Sequence, residues 1–187
     1  GRRAGTENVI FDVALGKEIY AIADHTAPVK ALAYLGDNRS LISAALDKTA
    51  RFSDVAVIAL LDAHAGGVAD VAFNNTGAQA LSGGMDKTVK VWDPQTEREI
   101  LNLRGHTLFC HGLASSPDGL RLASAGKDGT IRIWDATPVK DDEGLESITC
   151  KHDYEVWSVE FSPDGGHLAS TGAYLRSSSL GDLTVRI

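Results

Sequence analysis

The chain has 187 residues, of which 43% are hydrophobic, and it carries 18 basic against 25 acidic residues. This composition is typical of a globular protein with enough mass for a sizeable core. The acidic balance, with no basic run interleaved with aromatics, argues against a nucleic-acid partner, and the lack of a long apolar stretch argues against a membrane span. No signal-peptide pattern is present, which favours a cytoplasmic location.

Two strands are predicted near the amino end, over 8–11 and 17–22. After them one polar pattern recurs: His25, His64 and His106 are each followed by a serine 18 residues later and an aspartate 22 residues later. The serines are Ser43, Ser82 and Ser124, the aspartates are Asp47, Asp86 and Asp128, and a fourth histidine, His152, has its serine at Ser170. A pattern that recurs in this way indicates an array of similar units.

Each unit contains four segments that alternate apolar with small or polar residues. In the second unit they cover 68–73, 78–82, 89–92 and 99–103, and in the third 112–115, 120–124, 131–134 and 146–150. Turn sequences separate them, including Ser116-Pro-Asp-Gly119 and Ser162-Pro-Asp-Gly165, in which proline presets φ and glycine permits a positive φ. Period-two alternation with regularly spaced turns predicts an all-β fold.

Several of these residues carry a family resemblance. Gly105-His106, Ser124, Lys127-Asp-Gly-Thr130 and Trp134-Asp135 resemble a WD-repeat, and Trp92-Asp93 matches equally well. The resemblance covers essentially the whole chain and implies a β-propeller of four-stranded antiparallel blades. It also implies a buried tetrad in each repeat, in which tryptophan donates to serine, serine to histidine and histidine to aspartate. The tetrads are Trp92, Ser82, His64 and Asp86, then Trp134, Ser124, His106 and Asp128, with His25, Ser43 and Asp47 in the first repeat.

The first and fourth repeats depart from this pattern. Ser53 occupies the tryptophan position of the first repeat, so its network is expected to lack the indole donor. Tyr174 stands where the fourth repeat should have its aspartate, and Asp182 follows 8 residues later, after a serine-rich insertion. That insertion is interpreted equally well as a functional loop or as a linker. The third repeat carries a long loop over 136–144, whose acidic run at 141–143 we interpret as solvated rather than as a contact for a basic partner.

We therefore expect one WD-repeat propeller segment over 1–187, with partial blades at 1–24 and 152–187 and repeats at about 25–63, 64–105 and 106–151. A closed ring needs about four to eight blades. The chain is then an excerpt of a larger propeller, one half of a homodimer that closes a ring of about eight blades, or a small ring by itself. The first two are favoured, because an open arc exposes two apolar blade faces.

The types of residue in the tetrad also suit a hydrolytic triad. Because the set recurs in each repeat, places serine on a strand and lacks a Gly-x-Ser-x-Gly elbow, we interpret it as a structural network and expect no catalytic residue. We also expect no metal and no cofactor, since the repeat histidines are committed to the tetrads. His111 and His167 are interpreted as structural or solvated. Cys110 and Cys150 lack metal-ligand spacing and are expected to be buried or half-buried free thiols.

The resemblance also implies a docking surface, because the loops after the second and fourth strands of WD-repeat blades gather on one face. The matching positions, here called the candidate face, are Pro28, Leu46, Gly67, Met85, Phe109, Lys127 and Glu155. Simple packing of the rim explains these residues equally well, although phenylalanine and methionine are enriched at interfaces. We predict a non-catalytic protein–protein interaction scaffold. The alternatives are a self-assembling structural propeller and a regulatory module of a larger multidomain protein.

Overall fold

The secondary structure is β throughout the part of the chain that the computed structural model describes, which is residues 8–12, 14, 17–22, 25–35, 40–53, 58–61, 63–136, 147–173 and 184–186. Strands β1 (Asn8–Asp12) and β2 (Lys17–Ile22) form an antiparallel pair. The all-β prediction is confirmed, and both strands lie where the alternation predicted them.

Three four-stranded antiparallel sheets follow, each with its strands side by side in chain order. Blade 1 contains β3 (Val29–Tyr34), β4 (Leu41–Ala45), β5 (Ala50–Ser53) and β6 (Ile58–Leu61). Blade 2 contains β7 (Val68–Phe73), β8 (Ala80–Gly84), β9 (Thr88–Asp93) and β10 (Arg98–Arg104). Blade 3 contains β11 (Cys110–Ser115), β12 (Arg121–Gly126), β13 (Thr130–Asp135) and β14 (Ser147–Lys151). Such sheets have the form of propeller blades, as the resemblance implies.

A three-stranded sheet, blade 4, completes the described part. It contains β15 (Glu155–Phe161), β16 (Leu168–Ala173) and β17 (Thr184–Arg186). The predicted aspartate positions Tyr174 and Asp182, the insertion at 174–180 and the acidic run at 141–143 lie outside the described residues.

The core lies between the blades rather than within any one of them, because the first strands pack in the order β3, β7, β11 and β15. Val71 of β7 joins a buried cluster with Ile42 and Phe52 of blade 1. In the same way Leu113 of β11 packs with residues of blade 2, and Val159 of β15 packs with residues of blade 3. Each blade therefore buries its apolar face against the preceding one, as expected of a repeat array.

The first strands of blades 1 to 4 share an irregularity. Pairing with the second strand shifts by one residue near the start of each, for example between Val68 and Asp70 and between Cys110 and Gly112. Such a bulge bends the strand and redirects side chains. At Gly112 the neighbouring blade comes so close that a Cβ would lie 2.8 Å from the carbonyl oxygen of Trp157. Glycine is therefore required for the spacing of blades 3 and 4.

One expectation about the cysteines is wrong. Cys110 is fully buried between blades 2 and 3, where burial raises the pKa of its thiol, but Cys150 is exposed. The reason is position: Cys150 lies on β14, the outermost strand of blade 3, on which every residue from Ile148 to Lys151 is exposed. His111 is half-buried and His167 is exposed, as expected.

Candidate functional site

The tetrad of blade 3 forms a continuous hydrogen-bonded chain. Trp134 Nε1 lies 2.9 Å from Ser124 Oγ, which lies 2.8 Å from His106 Nε2, and His106 Nδ1 lies 3.0 Å from Asp128 Oδ2. A carboxylate only accepts and an indole N–H only donates, so one proton arrangement fits throughout. Trp134 donates to Ser124, Ser124 donates to His106, and His106 donates to Asp128.

Blade 2 repeats this geometry. Trp92 Nε1 and His64 Nε2 each lie 2.9 Å from Ser82 Oγ, and His64 Nδ1 lies 2.9 Å from Asp86 Oδ1. Burial lowers the pKa of both His64 and His106, and this outweighs the nearby aspartates, which raise it. The imidazoles are therefore neutral near pH 7, as the proton arrangement requires.

The aspartate of each tetrad also closes two loops at once. Asp128 accepts from the Thr107 amide at 2.7 Å, the Thr130 amide at 3.0 Å and Thr130 Oγ1 at 2.6 Å. Burial by itself raises the pKa of Asp128, but these hydrogen bonds and His106 hold the pKa below its usual value. The same set of contacts lowers the pKa of Asp47 to about 2. Each aspartate thus joins the loop before the first strand to the turn after the second.

Blade 1 has the tetrad without its tryptophan. His25 Nε2 lies 2.8 Å from Ser43 Oγ, and His25 Nδ1 lies 2.9 Å from Asp47 Oδ2. Ser53 pairs with Leu41 just as Trp92 pairs with Ala80 in blade 2, so it occupies the tryptophan position. Its buried Oγ has no hydrogen-bond partner among the described residues. In blade 4, His152 Nε2 lies 2.8 Å from Ser170 Oγ.

The arrangement does not suit nucleophilic catalysis. Ser43, Ser82 and Ser124 are each 0% exposed, so a substrate has no access to any of their hydroxyl oxygens. A hydrolytic triad requires an accessible nucleophile beside an oxyanion hole. What the network can do is hold the strands and loops of a blade in one geometry, because every polar atom in it is paired inside a low-dielectric interior.

Sequence reasoning missed a basic residue that lies against the tryptophan of each complete tetrad. Lys90 Nζ lies 5.4 Å from the centre of the Trp92 ring and 2.7 Å from Glu99, and the Arg132 guanidinium lies 5.7 Å from the Trp134 ring. Both contacts are in the range of cation–π attraction. The signal was present, because a basic residue recurs eight positions after each repeat serine, at Arg51, Lys90 and Arg132.

A second missed residue links two blades. Asp70 on β7 accepts a hydrogen bond from the Leu113 amide of blade 3 at 2.8 Å and another from the Val71 amide at 2.9 Å. Burial raises the pKa of Asp70 to about 6, and the two hydrogen bonds only partly oppose this rise. The corresponding positions of the other blades carry Ala31, Gly112 and Ser158, so the repeat pattern offered no signal for it.

The structure brings the candidate-face residues together in pairs at one end of the blades. The amides of Leu46, Met85 and Lys127 donate to the carbonyls of Pro28, Gly67 and Phe109, at 3.0, 2.9 and 2.8 Å. Contacts also join neighbouring blades: a Cβ at Gly67 would lie 2.8 Å from Leu46 Cδ2, and Lys127 Nζ lies 3.4 Å from Glu155. Leu46 and Phe109 are exposed, with 37% and 38% of their surface accessible, whereas Gly67 is buried.

Other kinds of site were also sought. In the parts of the chain that the structure describes, no three histidine, cysteine or acidic side chains are placed to hold a metal ion. Nor does any helix long and apolar enough to cross a membrane occur there.

Comparisons with a family model and with known proteins point to the same family. The WD40 family (WD domain, G-beta repeat) matches the chain at 16–54, 56–93, 97–135 and 145–187. Periodic tryptophan protein 2 of Arabidopsis thaliana is 31% identical over 167 residues, which is 87% of this chain and 18% of that protein. Pre-mRNA-processing factor 19 homolog 2 of the same plant is 29% identical over 160 residues, 80% of this chain and 28% of that protein. Human WD repeat and SOCS box-containing protein 1 is 33% identical over 85 residues, 46% of this chain and 20% of that protein. The chain thus spans between 18% and 28% of these relatives.

Proposed function

This chain belongs to the WD40 repeat family, and we propose that it acts as a rigid, non-catalytic platform that binds a protein partner on the candidate face. The family is in general one of interaction domains, and the relatives support a scaffold in the same coarse sense. The observation that carries the proposal is the row of contacts along that face. Leu46 over Gly67 joins blades 1 and 2, and Lys127 with Glu155 joins blades 3 and 4.

The chemistry of the face suits a protein partner. Phe109 and Leu46 are large apolar side chains held partly exposed, and Lys127 Nζ lies 5.9 Å from the Phe109 ring and also beside Glu155. An apolar centre with charged groups beside it is the usual anatomy of a protein interface. Because the backbone pairs hold each loop in place, the face needs little ordering on binding, which favours affinity.

The test is a double substitution, Phe109→Ala with Met85→Ala, in the whole protein that contains this chain. Affinity purification with quantitative mass spectrometry should show at least one protein whose recovery falls by about tenfold or more, the size expected for loss of interface anchors. Ile148→Ala is the matched control, since Ile148 is 65% exposed but lies on the outer strand of blade 3. Recovery of every partner at the level of that control would contradict the candidate face.

A second candidate, self-assembly, is favoured by one exposed apolar surface on blade 1. Leu32 is 52% exposed, whereas the residues at its position in the next three blades, Val71, Leu113 and Val159, are 4%, 7% and 3% exposed because each packs on the preceding blade. Tyr34, on the same face of β3, is 49% exposed. The second proposal is that a blade of another copy covers Leu32, so that the whole chain forms one propeller segment completed by a homodimer.

Sedimentation and light scattering of the purified chain test this second proposal. We expect a dimer that Leu32→Lys with Tyr34→Lys converts to a monomer, while Ile148→Lys on the outer strand leaves it dimeric. A stable monomer of the unsubstituted chain at all concentrations would rule out the homodimer.

A further inference from the structure

A groove opens between blades 2 and 3 at the end opposite the candidate face. In blade 2 the β7–β8 and β9–β10 turns lie at one end, and the tetrad turn between β8 and β9 lies at the other. The groove is a cavity of about 480 Å³, bounded in blade 2 by the β7–β8 and β9–β10 turns and in blade 3 by the β11–β12 turn and Ala136. It is therefore separate from every residue used so far for function.

Apolar side chains of two blades line part of this groove. Ile100 and Ala78 come from blade 2, and Leu120 and Ala136 from blade 3. Leu120 lies in a turn and is 52% exposed, so about half of this large apolar side chain is in contact with solvent. The equivalent residues are Ala78 in blade 2 and Gly166 in blade 4, so among these three turns only that of blade 3 has a large apolar side chain at this position.

Two carboxylates, one from each blade, lie in the same groove. Asp93 Oδ1 accepts the Gln95 and Thr96 amides, and Asp118 Oδ1 accepts from Ser116 Oγ and the Leu120 amide. The Thr96 side chain also donates to Asp93. A carboxylate offers about four lone-pair sites, so both groups keep the capacity to accept from a partner. The hydrogen bonds also lower the pKa of both groups, so they stay ionised at neutral pH. Of the described residues that line the groove, none is lysine or arginine, although Arg121 lies near Asp118.

We propose that this inter-blade groove binds an arginine side chain of a protein partner, with its guanidinium on the Asp93 and Asp118 carboxylates and its methylene stem against Ile100 and Leu120. The match is one of charge and of shape. A guanidinium presents five donors in a planar fork that suits carboxylates, and its aliphatic stem covers apolar surface while the charged end stays in water. A fully apolar ligand would gain nothing from the two carboxylates, and an anionic one would be repelled by them.

The test uses the capped tripeptide acetyl-Leu-Arg-Leu-amide and its citrulline counterpart, which has the same shape without the charge. In two-dimensional amide NMR of the isotope-labelled chain, the arginine peptide should shift the Gln95, Thr96 and Leu120 amide signals in a saturable way. The citrulline peptide should bind about tenfold more weakly or worse, since each charge-assisted hydrogen bond that is lost is costly.

Asp93→Asn with Asp118→Asn should weaken the arginine peptide by a similar factor while the asparagines keep both turns closed. Asp164→Asn is the matched control, because Asp164 makes the same turn contacts to Ser162 Oγ and the Gly166 amide in blade 4, outside the groove. The proposal is overturned if the groove signals do not shift, if citrulline binds equally well, or if the double variant binds like the control.

Discussion

At the scale of single residues, each tetrad is a chain of hydrogen bonds in which each side chain donates to the next. The serine hydroxyl accepts from one partner and donates to another, so removing it leaves a buried histidine nitrogen unpaired. An unpaired buried polar atom costs about 1–3 kcal/mol, more than the net gain of about 1 kcal/mol from a typical hydrogen bond. Blade 1 shows both situations, because Ser43 is paired with His25 while Ser53 Oγ lacks a partner among the described residues.

The same substitution should therefore have opposite effects at these two serines. Ser43→Ala should lower the free energy of unfolding by about 1–3 kcal/mol, because it leaves His25 Nε2 buried without its hydrogen-bond partner. Ser53→Ala should leave the free energy of unfolding unchanged or raise it by up to about 1 kcal/mol, because it removes a buried hydroxyl that is unpaired. Urea unfolding followed by circular dichroism measures both.

The two positions control for each other, since β4 and β5 are paired neighbours in one sheet and Ser43 and Ser53 are both buried. Equal losses in the two variants would mean that Ser53 Oγ is hydrogen-bonded in solution, and would contradict the predicted difference between the two serines.

Among the elements, the turn between the second and third strands has a backbone conformation that favours glycine, but two of the three blades have lysine there. Its third residue has a left-handed backbone in all three complete blades, with φ of 75° at Lys48, 74° at Lys87 and 75° at Gly129. A residue with a Cβ pays about 1–2 kcal/mol for that conformation, whereas glycine does not. Blades 1 and 2 therefore carry strain that blade 3 avoids.

Lys87→Gly should relieve this strain and raise the free energy of unfolding by about 0.5–1 kcal/mol, the gain being reduced by the greater freedom of glycine in the unfolded chain. The reciprocal change, Gly129→Lys, should be destabilising by more, because the carbonyl oxygens of His152 and Tyr154 lie 3.2 Å from the position of its Cβ. Thermal unfolding of both variants gives the comparison. A loss of stability in Lys87→Gly would show that the lysine side chain contributes more than its backbone costs.

Features that recur in every sequence repeat could be predicted from the sequence, whereas features of a single blade could not. The strands repeat with a local period, so their existence was predictable, but the second strands of blades 2 and 3 begin at Ala80 and Arg121 rather than at 78 and 120. The preceding turns are longer than the alternation suggests, because Asn74 Oδ1 and Ser116 Oγ accept hydrogen bonds from the amides of Gln79 and Arg121. Side-chain hydrogen bonds that close a turn have no period, so such boundaries are poorly predicted.

Features that depend on one particular pair of blades were not predictable from the repeats. The contact of Asp70 with the Leu113 amide follows from the spacing of blades 2 and 3. The groove with Asp93, Asp118 and Leu120 is of the same kind. Each joins residues far apart in the sequence, and nothing in either segment alone specifies the other.

For the whole molecule, stability depends on the contacts between neighbouring blades. Asp70 makes the contact between blades 2 and 3 sensitive to pH. Its carboxylate accepts a hydrogen bond from the Leu113 amide across the boundary between blades 2 and 3. Burial raises the pKa of Asp70 from 3.8 to about 6 in the folded chain. Between these values the unfolded chain has released the proton and the folded chain still holds it, so stability falls as the pH rises.

Asp70→Asn should remove this part of the pH dependence. Relative to the variant, the unsubstituted chain should lose about 1–3 kcal/mol of unfolding free energy as the pH rises from about 4 to about 6, and the difference should be constant above that. Urea unfolding of both chains across this range measures the difference, and titration of all other groups cancels because both chains share them.

Asp164→Asn supplies a control of opposite sign, because hydrogen bonds from Ser162 Oγ and the Gly166 amide lower the pKa of Asp164 in the folded chain. A lowered carboxyl pKa contributes stability that is present at higher pH and is lost as the pH falls through about 4. The unsubstituted chain should therefore gain stability relative to this variant as the pH rises to about 4, just below the range in which it loses stability relative to Asp70→Asn. A pH-independent difference for Asp70→Asn would mean that water reaches its carboxylate at the boundary between blades 2 and 3, so that burial does not raise its pKa there.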